Sequence, residues 1–309
     1  MGIVTVVGSY NVGLFLKGKH IPAIGETVIG ETFFESGGGK GSNQALAAAR
    51  MCADVRFIGR IGNDKYGDDA LSIYKKFGVS SDNIIRDETI HSGISVIFID
   101  ESGRNSIMVV PGANYNLTRK DLDDREEQLA QSDIVGFQLE NEIDMVLYGI
   151  RKCRSLGTQV LLDPAPAVAL PDDIYSYISY IKPNEVEASI LSGIKVTDQK
   201  SAEKAGKWFI DKGVSTAIIT LGEKGAVVVG QSETSFFPAP DVKAIDSTGA
   251  GDIFSGALMA CIADGQELKQ AVQTAGMAAA MSVCSAGVVE AIPEYKQVLE
   301  FIKKQGDEK

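Results

Sequence analysis

Histidine is nearly absent from this 309-residue chain: His20 and His91 are the only two. Neither sits in a Ser/His/Asp-like order or an HExxH pattern, which leaves histidine-dependent serine and zinc hydrolysis with little support. Cysteine is almost as sparse, and Cys52, Cys153, Cys261 and Cys284 are scattered with no CxxC pair. Neither a zinc site nor a disulfide framework is indicated, and a reducing, cytoplasmic setting is expected. No stretch approaches about 18 uninterrupted apolar residues, and the opening MGIVTVVGSYNVG lacks the basic start and apolar run of an export signal. Positive charge is in the minority, with 30 Lys and Arg against 41 Asp and Glu and a net charge of -11. The chain as a whole is therefore expected to repel nucleic acid and anionic membranes, and a polyanionic small ligand needs strictly local positive potential. Also missing are a Pro/Ser-rich linker and an internal repeat.

What is present suits one large α/β unit, since 44% of residues are hydrophobic and 23% charged. Ile3 to Val7, Val55 to Ile58, Ile134 to Phe137, Val160 to Leu162 and Ala217 to Ile219 are short, nearly continuous apolar runs, as strands buried on both faces should be. Helix-like segments at 43–51, 68–77, 122–129 and 202–210 fall between many of them, which predicts a mostly parallel sheet with helices on both faces. Residues 252–284 read as two or more packed helices, and 295–303 as a final amphipathic one. Residues 13–35 and 92–110 break the alternation with β segments and no helices. They are expected either to pair as a small antiparallel flap or to be ordinary edge strands.

Four motifs carry chemistry. In AIDSTGAGDIFSGAL, residues 244–258, Gly249, Ala250 and Gly251 open a helix beginning near Asp252. Free amides at a helix start, unscreened by bulky side chains, suit a phosphate or developing negative charge. Asp252 beside them could take a proton from an attacking hydroxyl; the plainer alternative is a tight turn with an acidic first-turn residue. ESGGGKGSNQALAAAR, residues 35–50, fails as a P-loop because Gly41 follows Lys40, and GAGDIF fails as a dinucleotide fingerprint because Phe254 holds its last glycine position. Its glycines would instead let a ligand touch backbone while Lys40 and Asn43 read hydroxyls. In IKPNEVEASILSG, Asn184 and Glu187 have capping-box spacing, which favours a structural role on these residues alone. AIITLGEKGAVVV, residues 217–229, reads as two strands around a hairpin turn.

Together these pieces resemble the ribokinase-like carbohydrate kinases of the PfkB family, over nearly the whole chain. Gly38-Gly39-Lys40-Gly41 with Asn43-Gln44 is similar to the family's N-terminal signature, and Asp246 to Asp252 to its C-terminal one. Gly25-Glu26-Thr27, Gly112-Ala113-Asn114, Asp163-Pro164-Ala165-Pro166 and Lys182-Pro183-Asn184-Glu185 narrow the likeness to the ribokinase branch. The resemblance implies a single kinase domain over residues 1–309, with a three-layer fold, a mostly parallel sheet and a small β lid formed by about 13–35 and 92–110. It implies transfer of phosphate from ATP to a sugar hydroxyl, with Asp252 as general base and the Gly249, Ala250 and Gly251 amides around the transferring group. Asn184 and Glu187 would arrange magnesium and phosphate. Nucleotide would lie near Thr220, Gly222 and Gly225, and sugar near Asn11, the Gly39-Lys40 loop, Asn43 and Glu140. Asp246 and Thr248 with Ser282, Ser285 and Gly287 resemble a loop for a monovalent cation, potassium. The lid is often shared across a homodimer in this family.

Two departures accompany the likeness. Gly13 stands where ribokinase-like members usually carry an aspartate that holds sugar hydroxyls. Loss of a charged acceptor, worth roughly 1.5 to 3 kcal/mol per bond, argues against ribose. The space beside Gly13 is expected to admit a larger, differently oriented or anionic substrate. Gly276 lies where relatives often have Asn or His beside the adenine, so nucleotide preference is open. A nucleoside kinase of the same family is the near alternative. A silent sugar- or nucleotide-binding regulator is the alternative from another class, and an NAD-dependent oxidoreductase lacks its fingerprint.

Overall fold

A computed structural model describes residues 1–307. The strands in chain order are β1 (Ile3–Val7), β2 (Asn11–Lys17), β3 (Thr32–Gly38), β4 (Asp54–Gly62), β5 (Ile84–Asp87), β6 (Gly93–Ile99), β7 (Asn105–Val110), β8 (Ile134–Phe137), β9 (Gln159–Leu162), β10 (Tyr180–Ile181), β11 (Thr216–Thr220), β12 (Ala226–Gly230) and β13 (Thr234–Phe237). The helices are α1 (Lys40–Arg50), α2 (Lys65–Phe77), α3 (Arg119–Asp123), α4 (Glu126–Ala130), α5 (Ile143–Ser155), α6 (Glu185–Ser192), α7 (Gln199–Asp211), α8 (Ala250–Ala263), α9 (Leu268–Ser282) and α10 (Tyr295–Asp307).

Nine strands form the central sheet in the order β13-β12-β11-β10-β9-β8-β1-β4-β5. Pairing is parallel from β11 through to β5, and antiparallel only where β12 and β13 extend one edge. Side chains alternate across a strand, so β1 sends Val4 and Val6 into one core, with Leu46 of α1 and Ile253 of α8, and Val7 into the other, with Phe137 and Val146. The α1 and α8 helices are pressed together at Gly256, where an added Cβ would lie 2.3 Å from the Gln44 carbonyl and 2.6 Å from Ala47 Cβ. The strand order reverses between β1 and β8, and in sheets of this kind a crevice opens there at the strands' carboxyl ends.

The two helix-free regions form a separate four-stranded sheet, ordered β3-β2-β6-β7. It is mixed, not antiparallel as expected: β2 runs parallel to β6, with Asn11 opposite Gly93 and Phe15 opposite Ile97. After β3 the chain passes through α1, β4, α2 and β5 before β6, so β6 re-enters from the same end as β2. The predicted helix 122–129 is also interrupted. Thr118 caps α3 with a full capping box, and Arg125, at φ -120 and ψ 22, breaks the helical path before α4. No helix among the described residues is long and apolar enough to cross a membrane, and all four cysteines are free.

Candidate active site

Side chains from the ends of β1, β8, β9 and β10 meet the starts of α1 and α8 at the reversal point. The centre is Asp252, in the first turn of α8 and almost fully buried. Asn43 Nδ2 donates to its Oδ2 at 2.9 Å, and Gln44 Nε2 lies 3.4 Å from its Oδ1. Lys40 Nζ stands 4.0 Å from Oδ1. Burial raises the Asp252 carboxyl above the usual aspartate range; Lys40 opposes that rise and Asp163 adds to it. The Lys40 ammonium is held above its ordinary value, chiefly by Asp252 and against burial.

The helix start beside Asp252 is closely packed at Gly249. Gly249 takes φ +75, and a Cβ there would meet Val288 Cγ1 at 2.4 Å, so only glycine fits without displacement. No side chain caps α8; its first amides have no intrahelical partner, and that of Ala250 makes only a long bond, 3.3 Å, to the Ser247 carbonyl. Gly251 is exposed at the surface of this cleft, while its carbonyl accepts from Lys182 Nζ at 3.1 Å.

On the opposite side, Glu140 gathers the other candidates. It accepts from Ser9 Oγ at 2.5 Å, the Lys40 amide at 3.0 Å and, more weakly, Asn11 Nδ2 at 3.4 Å. Burial pushes its carboxyl up, with Lys40 pulling it back. Asn11 is further fixed by Asn114, whose amide also clamps both backbone polar atoms of Tyr10. Gly39, at φ +91, approaches the backbone of Asn11 so closely that a Cβ would lie 2.7 Å from its nitrogen.

Gly13 requires a correction. The space beside it is not open: a Cβ at residue 13 would sit 2.7 Å from Cε2 of Phe15 and 3.4 Å from Cδ1 of Ile97. Residues 13 and 15 share a strand face, and the Phe15 ring leans back over the glycine.

The remaining candidates are placed unevenly. Asn184 and Glu187 complete the capping box of α6, with Asn184 accepting from the Val186 and Glu187 amides and Glu187 accepting from the Asn184 amide. Burial raises the Glu187 carboxyl. Thr220 pairs with Asn184 at the end of β11, and Gly222 and Gly225 form the turn into β12, both at positive φ. Asp246 accepts from the amides of Thr248 (2.9 Å) and Gly287 (3.2 Å), and against the effect of burial these bonds hold it below the usual range. The Ser282 hydroxyl turns back to the Ala279 carbonyl, and the Ser282 carbonyl accepts from Ser285. Gly276 lies within α9 facing open space, and nothing among the described residues ties it to the other candidates.

Residues absent from the candidate set hold this one together. Lys182 and Asp163, both buried, pair at 2.9 Å, and Gln44, Ser255 and Lys182 all converge on Asp163 Oδ2. Gln138 donates to Gln44 Oε1 at 2.6 Å. Asp163, Lys182 and Gln44 all stand in the motifs quoted for the family resemblance, which was the signal available for them. Asp163 Oδ1 and Asn43 Oδ1 are buried without a partner among the described residues.

The profile of the pfkB family of carbohydrate kinases matches residues 1–294. Haemophilus influenzae ribokinase is 37% identical over 299 residues, covering 97% of this chain and 98% of that protein. Salmonella typhi deoxyribokinase is 32% identical over 300 residues, covering 97% and 98%. The structure of Arabidopsis thaliana ribokinase complexed with ribose and ATP superposes with a TM-score of 0.93 at 28% identity, covering 98% of this chain and 99% of that one.

Proposed function

The chain belongs to the pfkB family of carbohydrate kinases, and from that premise we propose that it transfers the terminal phosphate of ATP to a sugar hydroxyl with Asp252 as the base. The observation that carries this reading is a buried carboxylate in the first turn of an uncapped glycine-entered helix, facing Lys40 and Asn43. Such a carboxylate can accept the hydroxyl proton while the Gly249 to Gly251 amides draw charge on the transferring group. Asn11, Asn43 and Glu140 supply donors and acceptors for the sugar, and the backbone around Thr220, Gly222 and Gly225 borders the nucleotide. The turnover test is ADP release across pentoses, hexoses, deoxy sugars, acidic sugars and nucleosides, with magnesium, and with potassium or sodium. A sugar-dependent signal is expected; silence across the panel with nucleotide still bound would overturn the assignment.

Magnesium fits the charges present. Lys40 is within electrostatic reach of Asp252, Asp163, Glu140 and Glu187, so carboxylates outnumber cations and a bare triphosphate would be repelled. Glu187, with Asp163 Oδ1, would hold the ion together with phosphate oxygens, the few-carboxylate mode magnesium favours. When bound it would neutralise phosphate charge. Potassium would take the Asp246 loop, with Thr248, Ser282, Ser285 and Gly287. Because Val288 packs against Gly249, that loop buttresses the anion-binding turn.

The acid limb of kcat/KM is expected above the ordinary aspartate range, since burial favours the protonated Asp252. A raised folded-state pKa also makes this group's stability contribution greatest in acid, lost as pH rises through that value. A Lys40→Met variant should move the limb further up, because Lys40 favours the charged form. A pH profile with its limb near the free aspartate value would contradict this.

The small sheet would act as a lid and dimer contact. Leu16, Phe33, Met108 and Val110 share the face turned away from Asn11, and Phe33 is 60% and Met108 68% exposed. Light scattering is expected to give a dimer mass, reduced to monomer by Phe33→Asp; a monomeric parent would rule this out.

A further inference from the structure

Asn11, Gly13 and Phe15 point to the same face of β2, and Asn11 fixes that face as the one turned to the site through its contacts with Glu140. The first position is polar and clamped. The next is bare, and the Phe15 ring covers it. That ring is itself held, stacked on Phe34 with centroids 4.5 Å apart and planes 4° from parallel. Ile97, buried and opposite Phe15, closes the other side. Among the nearby polar groups of this face, the Ser36 hydroxyl turns to its neighbouring Gly37 carbonyl, and Ser95 lies opposite Gly13.

The site is therefore two-sided. Its floor carries Glu140, Asn43 and Asp252, while its roof beyond Asn11 is formed by Phe15 and Ile97, with the Ser36 and Ser95 hydroxyls at its edge. A hydroxyl raised toward Phe15 would exchange water for at most the neutral Ser36 and Ser95 hydroxyls beside Gly13, with no charged acceptor, whereas a carbon bearing only hydrogen would gain ring contact.

We infer that Phe15, backed by Phe34, selects an acceptor sugar lacking a hydroxyl on the side turned to Gly13, making a deoxy sugar the preferred substrate over its fully hydroxylated parent. The inference rests on the sugar-kinase reading above and sharpens it. Phe15 would act by direct contact with substrate, and Phe34 as a positioning residue for the ring.

The test compares ribose and glucose with their 2-deoxy and 3-deoxy counterparts. Two quantities are read for each sugar: kcat/KM, and Kd by calorimetry without turnover. At least one deoxy sugar is expected to exceed its parent by about 10- to 100-fold in the unaltered chain, the range a hydrophobic contact achieves against an added hydroxyl. Phe15→Ser should bring that ratio to within about threefold of unity, and Gly13→Asp in the Phe15→Ser background should favour the parent sugar. Thermal melting of each variant establishes that it is folded, and Phe34→Ser, altering a half-exposed ring, gives a second route to the same shift. Tighter deoxy-sugar binding without any phosphorylation would overturn the kinase reading and leave the roof's selectivity standing. Phosphorylation with each parent sugar preferred, at a ratio indifferent to Phe15→Ser, would overturn the inference alone.

Discussion

Asp252→Asn is expected to lower kcat by about 10²- to 10⁴-fold, the usual worth of a positioned general base, while nucleotide binding persists. The substitution keeps the shape and removes the negative charge together with the capacity to accept a proton. Asn43 donates to one oxygen at 2.9 Å and Gln44 approaches the other at 3.4 Å, so the amide oxygen can keep the Asn43 bond while its NH2 group gives up the weaker Gln44 contact. Stability should hold or rise at neutral pH, because burial works against the charged form of this residue. Rapid-quench and steady-state rates would measure the first effect and denaturant titration the second. Turnover unchanged by the substitution would remove Asp252 from the chemistry; a collapsed fold would show instead that its charge is structural.

Lys182→Ala should have the largest effect on stability, a loss of about 3–5 kcal/mol, because truncating one partner strands the other's charge in the interior. Lys182 and Asp163 are almost fully buried at 2.9 Å, and Lys182 also bonds the Gly251 carbonyl. Lys182→Met combined with Asp163→Asn is expected to recover much of the loss, since no charge is then left unpaired. Activity need not follow stability in that double variant. Asp163 receives Gln44 and Ser255, so its loss loosens the groups around Asp252 even in a stable chain. Urea midpoints for the single and double variants give the comparison, and equal midpoints for Lys182→Ala and the parent chain would refute it.

Much of this arrangement was legible before any coordinates. Continuous apolar runs gave the buried strands because a strand covered on both faces has no polar side to alternate with. The small residues at 249 to 251 announced a helix start near Asp252, and Asn184 with Glu187 announced the cap that they form. Other features depend on what the chain brings together across distance. The direction of β6 beside β2 follows from the route taken between them, not from the residues of either strand. The Lys182 to Asp163 pair joins the ends of neighbouring strands, and neither residue alone declares a partner. Gly13 was misread for a related reason: an absent side chain suggests a void, but a neighbour two positions along the same strand occupies it. The break at Arg125 belongs to the same class, as its guanidinium reaches across to the Asn83 carbonyl.

The tight packing of α1 against α8 has a consequence in time as well as space. Asn43 and Asp252, which touch, are separated by 209 positions, and Gly256 admits no side chain between the two helices. A ribosome that has delivered the first half of this protein has made Asn11, Lys40, Asn43 and Glu140 but neither Asp252 nor the helix start at residues 249 to 251. The buried apolar flank of α1 therefore has no α8 to cover it until late in synthesis, and contacts so distant in sequence form more slowly than local ones.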